Sequence, residues 1–158
     1  MIYVLDFFTQ YSQFYIVDQG TIGETDDLEF WSDQALNDRL AYEDGILGIT
    51  VENDYSTVLG ELEILETSNP NPNLNADHIV EASITINSGI LEIQDCPTSN
   101  IIHSICLENG DYRVRVYSFN LANVYVEGKD IPNDRYRIEI WKDIPSPRKV
   151  LKRWHIKY

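Results

Sequence analysis

Three histidines, two cysteines and twenty-six carboxylates are the side chains with which a site in this chain could do chemistry. His78, His103 and His155 stand far apart, and none has a partner at the spacing of a metal site. Cys106 and His103 are three positions apart within one strand-like run, which sends them to opposite faces and denies the thiol its base. Cys96 and Cys106 are too few for a disulfide framework or a structural zinc site and read as ordinary thiols. No nucleophile elbow, phosphate-binding loop, paired-histidine zinc motif or redox dicysteine occurs. Glu61 and Glu63 share one strand face, and such pairs can raise a carboxyl pKa as glycoside hydrolysis requires. Acids this abundant produce that spacing without function. The residues point away from an enzyme.

What the carboxylates do offer is field. Net charge is −14, and it is unevenly distributed. Residues 1–112 contain 21 Asp and Glu against Arg39 as the one base; residues 113–158 contain 11 bases against 5 acids. A chain this acidic repels nucleic acid and attracts basic proteins. Ten tyrosines and three tryptophans supply rigid amphipathic contact area, with Tyr11, Tyr15 and Tyr42 beside acidic segments. The loop DQGTIGETDDLE, residues 18–29, gathers Glu24, Asp26, Asp27 and Glu29. Hard cations take oxygen ligands, so a calcium reading exists, but the alternating acids, central glycine and closing glutamate of an EF-hand are missing.

The elements that must position these acids read mostly as strands. Residues 1–9 and 11–17 alternate with period two and lack the basic start and small-residue cleavage site of a signal peptide, which points to a cytoplasmic protein. No run is long enough to span a membrane. In FWSDQALNDRLAYEDGILGITVE, residues 30–52, Ser32 is a helix N-cap, Trp31 and Leu36 have staple spacing, and Gly45 is the C-cap. This predicts a short helix over 33–43 and then a strand.

Strand 46–52 pairs with 55–65 across a turn at 52–54; Gly60 marks a bulge or a close backbone approach. Residues 67–77, with two Asn-Pro steps, form a long connection. Strands 78–86 and 90–94 read as a hairpin around Asn87-Ser88-Gly89, followed by strands at 100–107, 112–120 and 136–142. The basic piece 143–158 is an edge strand or an appendage, lysine being a common edge protector. The expectation is an all-β, antiparallel β-sandwich of about eight to ten strands with one short α-helix, in a single domain over residues 1–158.

Several of these segments resemble the DNA-entry nuclease inhibitor (competence protein J) family. Tyr11, Gln13 and Phe14 match its first motif, and Trp31, Ser32 and Asp33 match its tryptophan before a short helix. Ala41, Asp44 and Gly45 match its step into a strand in part, and Gly110, Asp111 and Tyr112 match a later one. The resemblance spans roughly residues 11–52 and 109–142; the basic C-terminal piece and the long middle loop depart from the pattern. It implies a small non-enzymatic protein that binds and blocks a nuclease, and the same scaffold would serve as an immunity protein against a toxin nuclease; from the residues, no cofactor or metal is expected. An acidic inhibitor suits a basic phosphate-binding cleft. The expected contacts are Asp26, Asp27, Glu29, Asp38, Tyr42, Glu43 and Asp44. The alternative is a sandwich module for a small ligand or carbohydrate, assisted by Ca²⁺.

Overall fold

The computed structural model describes residues 1–53 and 57–155. Two sheets face each other. The larger has the strand order β1-β5-β10-β9-β6-β11 and the smaller β3-β4-β2-β7-β8. Their strands are β1 (Ile2–Phe8), β2 (Gln13–Asp18), β3 (Leu40–Glu43), β4 (Ile46–Thr50), β5 (Thr57–Ile64), β6 (His78–Ile86), β7 (Ile90–Gln94), β8 (Ile101–Cys106), β9 (Gly110–Phe119), β10 (Arg135–Lys142) and β11 (Lys149–Lys152). One helix, α1 (Asp33–Asp38), precedes β3. The sandwich and, among the described residues, its single short helix are as expected. One pair, β5 with β10, is parallel among otherwise antiparallel neighbours.

The chain changes sheet at β1–β2, β4–β5, β6–β7 and β8–β9. Period-two alternation gives each inner face its apolar half: Leu5 and Phe7, Val58 and Leu62, Ile138 and Ile140, Val114 and Val116, and Val80 and Ile84 from the large sheet. Phe14 and Ile16, Leu47 and Ile49, and Leu91 and Ile93 come from the small one, in one continuous core. Gly60 sits at the parallel pair, where a Cβ would lie 1.7 Å from the Tyr136 carbonyl oxygen, so the close backbone approach is real.

Several expectations are corrected. Strands β4 and β5 do not pair; β4 lies between β2 and β3, β5 between β1 and β10. The first two residues expected in that second strand, Tyr55 and Ser56, and Asp54 of the expected turn, lie outside the described residues. Strands β6 and β7 are not a hairpin, because the turn at 87–89 carries the chain from the large sheet to the small one. The helix ends at Asp38 rather than 43. Arg39 takes the left-handed conformation, φ 61°, and its N–H closes on the carbonyls of Ala35 and Leu36. Residues 40–43 then form β3, and Gly45, φ 75°, serves the turn between β3 and β4. The expected staple partner Leu36 is exposed, and Ala35 is the buried apolar residue of the helix instead.

The outer face of the large sheet carries an ionic ladder, buried at Arg113, Arg115, Glu81 and Glu139 and more exposed at Arg137, Glu61 and Glu63. Glu81 accepts from Arg113 Nε at 3.0 Å and from Arg115 Nε at 2.7 Å. Glu139 accepts the Tyr117 hydroxyl at 2.6 Å and lies 3.6 Å from Arg115. Arg137 joins Glu61, Glu63 and Glu139. The carboxylate pair with glycosidase-like spacing is therefore bridged by a guanidinium.

Candidate partner-binding surface

The acidic loop lies over the outer face of the small sheet because aromatic residues at its end are anchored there. Phe30 is buried with Tyr15, Val17, Ala35, Ala41, Ile46 and Cys96, and Trp31 packs against them. Gly48 of β4 makes this possible: a Cβ there would lie 2.8 Å from the Trp31 ring and 2.9 Å from Phe30. At its start the loop is pinned by Asp18, whose carboxylate accepts the backbone N–H groups of Asn87 and Ser88 at 3.0 and 3.1 Å. Between these anchors a turn forms, with Asp27 N–H on the Glu24 carbonyl and Glu29 N–H on Asp27 Oδ1. Ser32 caps the helix, accepting from Ala35 N–H at 3.2 Å as its sequence position predicts.

The candidate contacts divide into two groups. Asp26, Asp27 and Glu29 are exposed on the loop, among the apolar tips Ile22 (97% exposed) and Leu28 (86%). Glu43 and Asp44 occupy the β3–β4 turn beside the exposed Tyr42, lining a cleft with Asp18, Thr21, Thr85 and Pro145. Loop and turn touch: a Cβ on Gly23 would fall 1.9 Å from Glu43 Oε1, and one on Gly45 would lie 2.7 Å from Thr21 Oγ1.

Asp38 stands apart. It is 5% exposed, and both carboxylate oxygens are engaged within the chain. Arg148 Nε donates to Oδ2 at 2.8 Å, Arg153 Nη2 to Oδ1 at 2.7 Å and Gln34 Nε2 to Oδ1 at 2.8 Å. Burial alone would raise its pKa; the hydrogen bonds from Arg153 and Gln34 and the charge of Arg148 outweigh that and hold it below the ordinary carboxylate value. Arg148 also lies over the Tyr42 ring, 5.1 Å from its centroid. The basic C-terminal piece is thus folded back onto the acidic part of the chain, with β11 as the edge strand beside β6. Sequence reading missed Arg148, Arg153, His78 and Trp154 at this place; the one available signal was the basic cluster opposite an acidic half.

Among the described residues, Glu24, Asp26, Asp27, Glu29, Asp33, Glu43 and Asp44 enter no ion pair. The ion pairs join Arg39 to Glu52, Arg113 and Arg115 to Glu81, Arg115 and Arg137 to Glu139, Arg137 to Glu61 and Glu63, Lys142 to Glu108, and Arg148 and Arg153 to Asp38. The paired bases are Arg39 and residues of the large sheet and the C-terminal segment, while Lys129, Arg135, Lys149 and Lys152 enter none of these pairs. The loop and the β3–β4 turn keep their negative field.

His78, His103 and Cys96 are held in structural contacts. His78 is fully buried between Asp38 O and Trp154 N. His103 contacts the Val4 carbonyl at 2.6 Å and stacks edgewise on Tyr3. Both cysteines are free thiols. Cys96 Sγ accepts from the Tyr15 hydroxyl at 3.4 Å, and burial pushes the Tyr15 pKa up. Among the described residues no three His, Cys, Asp or Glu side chains are grouped to hold a metal ion, and no helix is long and apolar enough to cross a membrane.

No known family model matches this chain, and no curated protein matches it in sequence. Its fold does have solved counterparts. The crystal structure of ComJ, inhibitor of the DNA degrading activity of NucA, from Bacillus subtilis, is similar with a TM-score of 0.67 at 17% identity, covering 90% of this chain and 99% of that one. A structure described as crocagin biosynthetic gene J is similar with a TM-score of 0.55 at 14% identity, covering 91% and 99%. The likeness to ComJ agrees with the family that the sequence motifs resemble, and at these identities it is a likeness of fold.

Proposed function

We propose that this protein is a non-enzymatic bacterial inhibitor that binds a basic nuclease, as a competence-type inhibitor or as an immunity protein against a toxin nuclease. The observation that carries this reading is the set of acids at residues 24–29 and 43–44, left outside every described ion pair while seven described bases form their ion pairs elsewhere. A nuclease must present cationic groups to phosphate, so a surface of this sign and shape competes for the same cleft. The exposed Ile22 and Leu28 add apolar area within the acidic loop, whose burial against a partner would add to the electrostatic attraction.

The contacts proposed are Asp26, Asp27, Glu29, Glu43 and Asp44, with Tyr42 at their edge and Asp38 set beneath it. The partner is a protein and not nucleic acid, which the same field repels. The cytoplasm is the proposed place of action, where thiols such as Cys96 and Cys106 stay reduced. The test is inhibition: a panel of purified basic bacterial DNases is assayed for DNA degradation with and without the protein. Stoichiometric loss of one nuclease's activity is expected; undiminished activity across the panel, together with no binding, overturns the reading.

A further inference from the structure

The best-defined ligand of the acidic surface is part of the chain itself. The end of α1 and the start of β3 present three things that a guanidinium uses: a carboxylate, free carbonyls and an aromatic face. Arg148 uses all three, with Nε on Asp38 Oδ2 and Nη1 on the Leu40 carbonyl, each at 2.8 Å, and its Cζ over Tyr42. Arg153 uses two, with Nη2 on Asp38 Oδ1 and Nη1 on the Asn37 carbonyl, each at 2.7 Å. The Asn37 carbonyl is one that a helix leaves unsatisfied in its last turn, and the Leu40 carbonyl belongs to the first residue of β3.

The segment that delivers these arginines is held to the sheet by a short ladder. Strand β11 spans four residues, and its pairing with β6 shifts register between Val150 and Lys152. The site opens onto the proposed contact surface through Tyr42, which is 54% exposed and shares its cleft with Glu43 and Asp44.

We propose that the Asp38–Tyr42 surface is a guanidinium-binding site that the chain keeps filled with its own Arg148 and Arg153, and that an arginine-bearing partner competes for it. This rests on the acidic-surface reading above and sharpens it: the C-terminal segment is an intrachain competitor, and the chemical class of its rival is an arginine side chain. Lysine is a poorer rival, since an ammonium cannot make the planar fork and stacks less well.

The test uses the full chain and a fluorescent oligoarginine peptide at low salt, read by anisotropy. Arg148→Gln vacates the Tyr42 face while Arg153 and Gln34 still hold Asp38, so the fold is retained. Lys129→Gln makes the same change in net charge at an exposed residue outside the described ion pairs. Arg148→Gln is expected to bind the peptide about three- to tenfold more tightly than the Lys129→Gln control, the range set by one cation–π contact. Arg148→Lys, which keeps the charge and loses the fork, is expected to fall between wild type and Arg148→Gln, and it serves if the glutamine variant proves unstable. Equal affinity of the Arg148 variants and the control overturns the competitor. A loop variant, Glu24→Gln with Asp26→Asn, Asp27→Asn and Glu29→Gln, separates the two readings. If it weakens binding while Arg148→Gln equals the control, only the competitor fails. If it too binds as wild type does, the acidic-surface reading fails with it.

Discussion

Trp154 donates its backbone N–H to Nδ1 of His78 at 3.1 Å, while Nε2 of the same ring faces the Asp38 carbonyl at 2.8 Å. The first contact requires a lone pair on Nδ1, so the ring is neutral and carries its proton on Nε2. It thereby clamps the end of α1 to the C-terminal segment. Burial, and then the charges of Arg39 and Arg153, bring the His78 pKa down to about 4 against the hydrogen bond to Asp38.

A pH dependence follows. A depressed folded pKa means that the unfolded chain binds the proton first, so stability is full above the ordinary histidine value of 6.5 and declines as pH falls towards about 4. Asp38 acts lower, because its folded pKa lies below 3.8. Thermal melts from pH 7 to 4 should therefore fall more steeply for wild type than for His78→Gln, which has no such proton to take up. Parallel curves over that window would contradict the clamp.

Glu81 is the shared anion of Arg113 and Arg115 on the outer face of the large sheet, with all three side chains nearly buried. Removing it leaves two desolvated guanidinium groups short of a counter-charge, which costs about 3 kcal/mol or more. Denaturant unfolding of Glu81→Ala should show that loss. Glu108→Ala, at the exposed pair with Lys142, should leave the midpoint unchanged. Similar behaviour of the two variants would refute the distinction between buried and exposed pairs.

Gly60→Ala should be among the most damaging single changes in the fold. Its Cβ would meet the Tyr136 carbonyl oxygen at the parallel β5–β10 pair, where neither backbone can withdraw without breaking a ladder. Gly110, φ 150°, has nothing within 4 Å of the place a Cβ would take, so alanine there reports the backbone strain alone. Expression and melting of the two alanine variants should separate them widely; a folded Gly60→Ala with near-native melting would show that the sheet can relax here.

Much of this architecture is legible in local pattern, and the failures have one cause. Alternation tells which side of a strand is apolar, so the faces of β9 and the core of β6 follow from the sequence. It does not tell which strand lies alongside. The turn signals at 52–54 and 87–89 therefore read as hairpin turns, although the chain changes sheet between β4 and β5 and between β6 and β7. Ser32 announces the helix start through its own side chain. Arg39 ends the helix without the glycine that usually marks that conformation, which hid β3. Composition exposes the acids of residues 24–29 directly. It cannot reveal that Asp38 is already bound, because Arg148 lies 110 residues away in the chain.

The acids of residues 24–29 are the proposed surface for a basic nuclease. The most direct measurement is calorimetric binding of an inhibited nuclease to wild type and to the four-site loop variant Glu24→Gln, Asp26→Asn, Asp27→Asn and Glu29→Gln, at about 50 and about 200 mM salt. Wild-type affinity should fall steeply with salt, and the variant should bind weakly at both concentrations with a shallower dependence. Equal affinities and equal salt slopes for the two proteins would contradict the account.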